Sequence, residues 1–580
     1  MPDQLQLRGG TTSEHSSFTG AAREVTVDTT KKTLVVHDGS QAGGTPLMKE
    51  SGTTGNVAFN SVSVGKGANS VASNTVLGVG ALDAAVTGTN ATAIGNQALT
   101  ALTSGTNNTG VGSLSLQLLT TGSNNTGVGV GTLNATTTAS NNTAVGRSVL
   151  AVNTTGYQNT AVGSTAMNQS STGNNNVALG HYGLYANTTG SQNVAVGAYA
   201  LDANTTASNN TAVGYNSLTA NTTGTLNTAV GTNALDANTT GGNNTAMGTN
   251  ALGVQQTASN NTAFGTSALS DNTTGSENVA IGAFALDANT TTNDCVAIGY
   301  NALTSANGAD RSVAVGKAAL ALTSTGDDNT GIGYHALNQN TTGTSNVAVG
   351  ANALDANTTA DNNTAIGFNS GSEITTGANN TILGASALDA LTTGSYNVAV
   401  GYRALTLATT SSNNTAVGND ALLLNTTGSN NVAVGSNSLI ANTTASNNTA
   451  VGDYSLGSNT TGSNNTAVGR TAMLANTTGA SNTAVGSLCL DSNTTGSQNT
   501  AIGLFALQAN TTANNNVAVG YKALELNTTG TVNTAVGQNA LTNNTTANAN
   551  TAVGTTCMES NTTGTENTAI GQSSLKANTT

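Results

Sequence analysis

The sequence predicts an all-β chain: a repetitive β-solenoid, or β-roll, of about 30 coils of 17 residues, with a small β-hairpin module ahead of it. Three observations predict this. The pentad Asn210-Thr211-Ala212-Val213-Gly214 returns, lightly varied, every 17 residues, and from Gly78 to Gly571 the spacing holds across 30 registered glycines. A fixed period of this kind marks a quasi-one-dimensional stack rather than several globules. The composition (70 glycines, two prolines, no tryptophan, 7% charged residues) is too poor in large apolar groups for a conventional core, yet too strictly patterned for disorder. Finally, the five-residue segments rich in Val and Thr and ended by Gly are strand-like, and no 3.6-residue period fits the unit.

Residues 1–50 stand apart from the repeat. Glu24-Val-Thr-Val-Asp28 and Thr33-Leu-Val-Val-His37 alternate apolar and polar residues around Thr29-Thr-Lys-Lys32, which reads as a β-hairpin. Gly39 to Gly44 supply turn and linker residues. His37-Asp38 has no third partner nearby for catalysis and reads as a hairpin-end turn. Through Phe18-Thr19-Gly20, Val25–Asp28 and Val36-His37-Asp38-Gly39, about 40 residues here resemble the N-terminal module of bacteriophage tail-fibre and related virion proteins. The resemblance implies that this end attaches to the particle, through tail or baseplate proteins.

Residues 51–77 read as an irregular cap that starts the stack. Ser61-Val-Ser-Val-Gly65 looks like a first copy of the motif, but Gly65 and Gly78 are only 13 residues apart.

From residue 78 to 580 the copies align on themselves. The residue before the glycine is Val, Ile, Leu, Met or Phe in all 30 copies, and two before it Ala stands in 25. Larger residues occur there only at Val76 and Ile382. Four residues after the glycine comes Leu in 26 copies and Met in three (Met167, Met473, Met558). Gly371 is the exception, where a small gap in the core is expected.

On a strand, the Val before the glycine and the Thr or Val three before it share one face, and the Ala lies on the other. Both faces are expected to be buried: one on the Leu of the coil, the other, limited to a methyl group, against neighbouring chains of a homotrimer. The glycine fits a corner that needs φ > 0 or a close backbone approach. Asn-Thr-Thr, stacked coil over coil, is expected to form hydrogen-bonded ladders. At about 4.8 Å per strand, 30 coils would make a rod of roughly 140 Å.

The strand Val279-Ala-Ile-Gly282 and its counterparts resemble the left-handed β-rolls of trimeric autotransporter adhesin heads. That resemblance implies a left-handed, trimeric roll. The chain departs from it in its 17-residue unit, the added Leu and the Asn-Thr-Thr. It also shows neither a signal peptide nor a C-terminal membrane barrel.

Charge narrows the partners. Five of the 13 basic residues (Arg8, Arg23, Lys31, Lys32, Lys49) lie in the first 50, so the remainder is mildly acidic. Such a surface is a poor match for nucleic acid or an anionic membrane. No run of 18 apolar residues exists, so membrane insertion is not expected. Without a basic-then-apolar leader, assembly in the host cytoplasm is expected. Cys295, Cys489 and Cys557 are too scattered for a disulfide framework and read as small buried residues.

The acids are the natural place to seek catalysis. Asp83, Asp202, Asp236, Asp287, Asp355, Asp389, Asp491, Glu525 and Glu559 all sit five residues after a registered glycine, and no two adjacent coils both carry one. Avoided repulsion on a solvated face explains the spacing, because carboxylates on neighbouring coils would raise each other's pKa. A glycosidase pair would also need a cleft between the carboxylates, and none is indicated. His15, His37, His181 and His335 are isolated, and the calcium-binding Gly-Gly-x-Gly-x-Asp repeat is absent. No enzyme activity, metal or cofactor is expected.

The two positions after the glycine are the variable ones. They hold Tyr215, Tyr300, Tyr334, Tyr402 and Tyr521, with Phe284, Phe368, Phe505 and His181, among small polar residues. The five tyrosines are the candidate binding residues for a host receptor or glycan. At Ala207, Ala258, Ala309, Ala360 and Ser411, 51 residues apart, a small residue replaces a common Gly, as three-coil duplication would leave.

The expectation is a structural fibre protein of a phage virion: residues 1–50 anchor it, 51–77 cap the stack, and 78–580 form a rigid shaft for host adhesion. A cell-surface adhesin of the trimeric autotransporter type is one alternative. Ice binding by threonine rows is another, weakened because adjacent threonines point to opposite faces of a strand. Ser573–Thr580 stops inside a repeat without a polar cap, so a missing C-terminal tip or chaperone is expected.

Overall fold

The computed structural model describes residues 8–19, 21, 24–30, 33–37, 42, 45–46, 49–50, 56–59 and 61–579. The chain divides into two compact units, Met1–Thr274 and Gly275–Thr580.

The first unit opens with a four-stranded sheet in the order β1 (Arg8–Gly10), β2 (Val25–Asp28), β3 (Thr33–Val36), β4 (Thr45–Pro46). Strands β2 and β3 form the expected hairpin, with Val25 opposite Val36 and Asp28 opposite Thr33. Lys31, Lys32, Asp38 and most of the expected 39–44 linker lie outside the described residues. Strand β1, parallel to β2, and a short helix α1 (Thr12–Ser17) were not legible in the sequence. His37 is buried, with Nε2 2.9 Å from Thr26 Oγ1 and its ring edge-on to Phe18 at 5.1 Å. It packs the hairpin onto the α1 end, which is a structural task.

An antiparallel meander then leads into the coils. Strands β5 (Lys49–Glu50), β6 (Val57–Phe59), β7 (Val62–Gly65) and β8 (Thr75–Gly78) pair in sequence, each antiparallel to the last. Val64 stands opposite Leu77, so the 61–65 segment runs against the coils despite its motif-like sequence. By pairing with β8 it covers the edge that the first coil would otherwise expose.

From β8 on, every described pairing is parallel, one three-residue strand per coil from β9 (Thr92–Ile94) to β37 (Thr568–Ile570). Residues 17 apart face each other, as Ala195 faces Ala212 and Val196 faces Val213. The first unit holds the coils through β19 (Thr262–Phe264), and the second begins its own at β20 (Val279–Ile281). Backbone bonds continue through the turns: Gly214 N donates to Val196 O at 2.8 Å and Leu201 N to Ser217 O at 3.1 Å.

The coil that starts at Gly197 shows the interior. Ala200, Leu201, Asn204, Ala207, Asn210 and Ala212 are all buried, while Thr211 and Val213 on the strand are only half-buried. This reverses the expected facing of the strand. The alanine points inward, because the leucine four residues after each glycine already fills a narrow interior and leaves room for a methyl group opposite. The Val and Thr positions face out. The small alanine therefore reflects the thin core, and it offers no surface to another chain.

Gly214 has φ +138°, and a Cβ there would collide with the backbone of Gly231 in the next coil. Here the corner expectation holds. Beyond it, three non-glycine residues in most coils adopt positive φ, as at Tyr199 (58°), Leu201 (53°) and Asn209 (61°). A leucine in this conformation costs about 1–2 kcal/mol. Full burial of the side chain returns about 1.5–3 kcal/mol, so the leucine is held in an otherwise disfavoured backbone state.

The expected Asn ladder exists, and it is doubled. Asn204 Nδ2 donates to Asn187 Oδ1 at 3.0 Å and Asn221 Nδ2 to Asn204 Oδ1 at 2.9 Å. A second buried column accepts backbone donors, with Asn210 N on Asn193 Oδ1 at 3.0 Å. Thr205 Oγ1 donates to Thr222 O at 3.1 Å, so the first threonine of Asn-Thr-Thr also ties coil to coil. The gap expected at Gly371 is absent. Ile374 and Ile382, both fully buried, bring their Cδ1 atoms into the space a side chain would take.

Candidate functional site

The acids five residues after the glycine lie at the rim of the interior, half-buried rather than fully solvated, except for exposed Asp83. The neighbouring coil supplies a hydroxyl to several of them. Thr219 Oγ1 donates to Asp202 Oδ1 at 3.1 Å, and Thr304 and Ser372 do the same for Asp287 and Asp389. At these three acids a hydroxyl of the adjacent coil adds a donor to the avoided repulsion. Burial pushes the carboxyls of Asp202, Asp236, Asp355 and Asp491 above their usual range.

The cysteines are free and buried. Burial holds the thiols of Cys295 and Cys489 up at about 12, so neither is a nucleophile near neutral pH. Among the described residues no group of three or more His, Cys, Asp or Glu side chains is placed to hold a metal ion. No helix among them is long and apolar enough to cross a membrane.

The exposed chemistry lies on the corner just after each registered glycine. Tyr215, Tyr300, Tyr334, Tyr402 and Tyr521 are all exposed there, but the fold does not bring the five together. Tyr215 belongs to the first unit and the others to separate coils of the second. Each has its own local company. Tyr300 meets Phe284 edge-on at 6.0 Å, and Tyr521 lies 6.2 Å from Phe505 with Lys522 Nζ 5.7 Å from its ring. Tyr334 stacks on His335 at 4.0 Å, and the Arg403 guanidinium lies 5.8 Å from the Tyr402 ring.

Tyr215 has the most extensive surroundings. Its ring is 6.1 Å from Tyr199, which runs parallel to Tyr182 at 5.7 Å. Tyr182 in turn contacts Tyr185 at 4.8 Å and His181 at 4.4 Å. Sequence reasoning passed over Tyr182, Tyr185 and Tyr199. The signal that marks them is aromatic residues in the corner columns of three successive coils, which the 17-residue register must stack.

At the N-terminal sheet, Arg8, Gly9, Gly10, Glu14, Phe18 and Thr26 line an open depression of about 160 Å³, with the Arg8 guanidinium 5.2 Å from the Phe18 ring.

These features define a solenoid-repeat protein whose N-terminal β module differs in architecture from the coils that follow. A family model described as the major tropism determinant N-terminal domain matches residues 5–41. Over 49 residues the chain is 63% identical to the tail fiber receptor-binding protein of Bordetella phage BPP-1. That match covers 8% of this chain and 13% of the phage protein's length.

Proposed function

We propose that this chain is a structural component of a bacteriophage tail fibre. Residues 1–50 attach it to tail or baseplate proteins, 51–77 close the first coil, and the coils of 78–580 form a stiff spacer toward a host surface receptor or glycan. The observation that carries the reading is the pairing of two things: an N-terminal segment matching the major tropism determinant N-terminal domain over residues 5–41, and in-register coils in each of the two units. The relative's description as a tail fiber receptor-binding protein supports a role in host attachment, in the virion.

We also infer a homotrimer, on a different face from the one the sequence suggested. The outward strand positions make a half-exposed apolar stripe, with Ile281, Ile298, Ile332 and Ile366 in one column of the second unit, each between 36% and 39% exposed. A stripe of this regularity suits burial against copies of itself, and a symmetric assembly repeats the contact at every coil.

Antibodies raised against residues 1–50 and against the coils test the first reading by electron microscopy of phage lysates. Label on phage tails is the expected result; label confined to the bacterial envelope would favour the cell-surface adhesin instead. Light scattering on the full chain tests the second. A trimer mass that falls to monomer in Ile281→Asn/Ile298→Asn supports the stripe, and a monomer mass in the parent chain removes it.

A further inference from the structure

We propose that the corner cluster formed by His181, Tyr182, Tyr185, Tyr199, Tyr215 and Asp202 is a binding platform for a neutral saccharide chain. Among the described residues no other corner gathers more than two aromatic rings, whereas this one joins four tyrosines and a histidine from three successive coils. Tyr182 and Tyr199, both half-buried, stack with their rings 14° apart and centroids 5.7 Å apart, beside exposed Tyr215. Successive pyranose rings present flat CH-rich faces at regular intervals, and tyrosine supplies an aromatic face with a hydroxyl at its rim.

Hydrogen-bonding groups border the rings. Asp202 occupies the same column as Tyr185 one coil on, and Ala186 N, next to Tyr185 in the chain, donates to Asp202 O at 2.8 Å. Its Oδ1 is fixed by Thr219, which orients the carboxylate as an acceptor for sugar hydroxyls. His181 Nδ1 lies 3.3 Å from the Ser164 carbonyl, which can only accept, so Nδ1 donates there and Nε2 is left for a ligand.

Two further observations favour a neutral sugar over other ligands and over mere space-filling. The cluster itself holds no lysine or arginine, the nearest in its column being Arg147, two coils before His181, so a neutral sugar suits it better than sialic acid, uronate or phosphate. Tyr182 and Tyr199 also sit at φ 56° and 58°, a conformation that suits Asn better than an aromatic side chain. Asn216, Asn233 and Asn250 occupy the following coils of that column at φ 53–56°. Filling the corner does not require tyrosine.

The proposal rests on the tail-fibre reading only for where such a glycan would be met, on the host surface. The test is saturation-transfer NMR and titration calorimetry of the assembled full chain with maltohexaose, cellohexaose and chitohexaose as neutral probes, and oligogalacturonate as the acidic one. Tyr182→Asn/Tyr199→Asn is the disabling variant, and exposed Leu226→Asn, in the column that holds Asn209 and Asn243, is the control. Asn already fits the column, and an unchanged circular dichroism spectrum and mass check the fold. We expect a neutral probe to bind, with affinity about tenfold or more weaker in the double variant and unchanged in the control. Silence toward all three neutral probes, preference for oligogalacturonate, or equal binding by the double variant would each overturn the platform. Tail labelling without glycan binding would sink this proposal and leave the fibre standing; the converse would do the reverse.

Discussion

Two stretches of the second unit fill the same interior position by opposite means. From Asn425 to Asn561 every coil places an asparagine seven residues after its glycine, and eight successive Nδ2-to-Oδ1 bonds of 2.7 to 3.1 Å join them. A few coils earlier the same column reads Ile374, Leu391 and Ala408, all fully buried. Both interiors keep identical strand register. What the position demands is therefore agreement with its neighbours rather than a given polarity. An amide needs amides above and below, and where Asn357 meets Ile374 its Oδ1 is left without a hydrogen-bond partner. The polar column is a long-range contract between coils, the apolar one a local matter of volume.

If that is right, the corner glycines act alike in both stretches, since they lie outside the column. Gly367→Ala and Gly452→Ala each place a Cβ against the backbone of the next coil at φ 143° and 133°. We expect each to cost more than about 4 kcal/mol, the largest effect foreseen, and to open the adjacent coils to proteolysis. A clear difference between the two would show that the interior filling reaches the corner.

The column itself comes next. Asn476 donates to Asn459 Oδ1 and Gly479 O and accepts from Asn493, so Asn476→Ala strands partners on both neighbouring coils. A loss of about 2–4 kcal/mol is expected, with faster hydrogen exchange on both sides. Leu391→Ala should cost a similar amount through its cavity. Its exchange should rise mainly in its own coil. Equal spread in the two variants would dissolve the distinction.

A smaller effect sharpens the local half of the comparison. Three departures from the repeat, Gly371, Ile374 and Ile382, meet at one spot, the isoleucines filling what the missing leucine left. Gly371→Leu alone overpacks, costing about 1–3 kcal/mol. Together with Ile374→Asn and Ile382→Ala it restores the standard coil, and thermal melts should show most of the loss recovered.

That spot also shows what the sequence made legible. Period, strand position, ladder and glycine corner follow from a one-dimensional pattern, because each coil must match the next at the same residue number. The facing of the strand did not follow. Thr211-Ala212-Val213 alternates equally well either way, and only the leucine at positive φ decides that the methyl group goes inside. The Gly371 compensation and the tyrosine platform were missed for a related reason. Each joins residues in different columns, which reading a single column cannot see.

The smallest predicted effect lies in the rim acids. Asp355 stands just before the apolar stretch and Asp491 inside the laddered one, both half-buried, and burial raises each carboxyl above its ordinary 3.8. The folded chain then holds protons that the unfolded chain has released. Their contribution to stability is fully present below pH 3.8 and is lost as pH rises through the raised folded values. Because water still screens these carboxyls, the gain on acidification is under about 1 kcal/mol in total. Asp355→Asn and Asp491→Asn, each placing the amide that Asn168 and Asn338 already carry in this column, should be slightly more stable than the parent at pH 7 and no different below pH 3.8. Since the rim lies outside the column where the two stretches differ, the two variants should shift the melt equally. A larger shift for Asp491→Asn would mean that the asparagine ladder carries electrostatic strain outward to the rim.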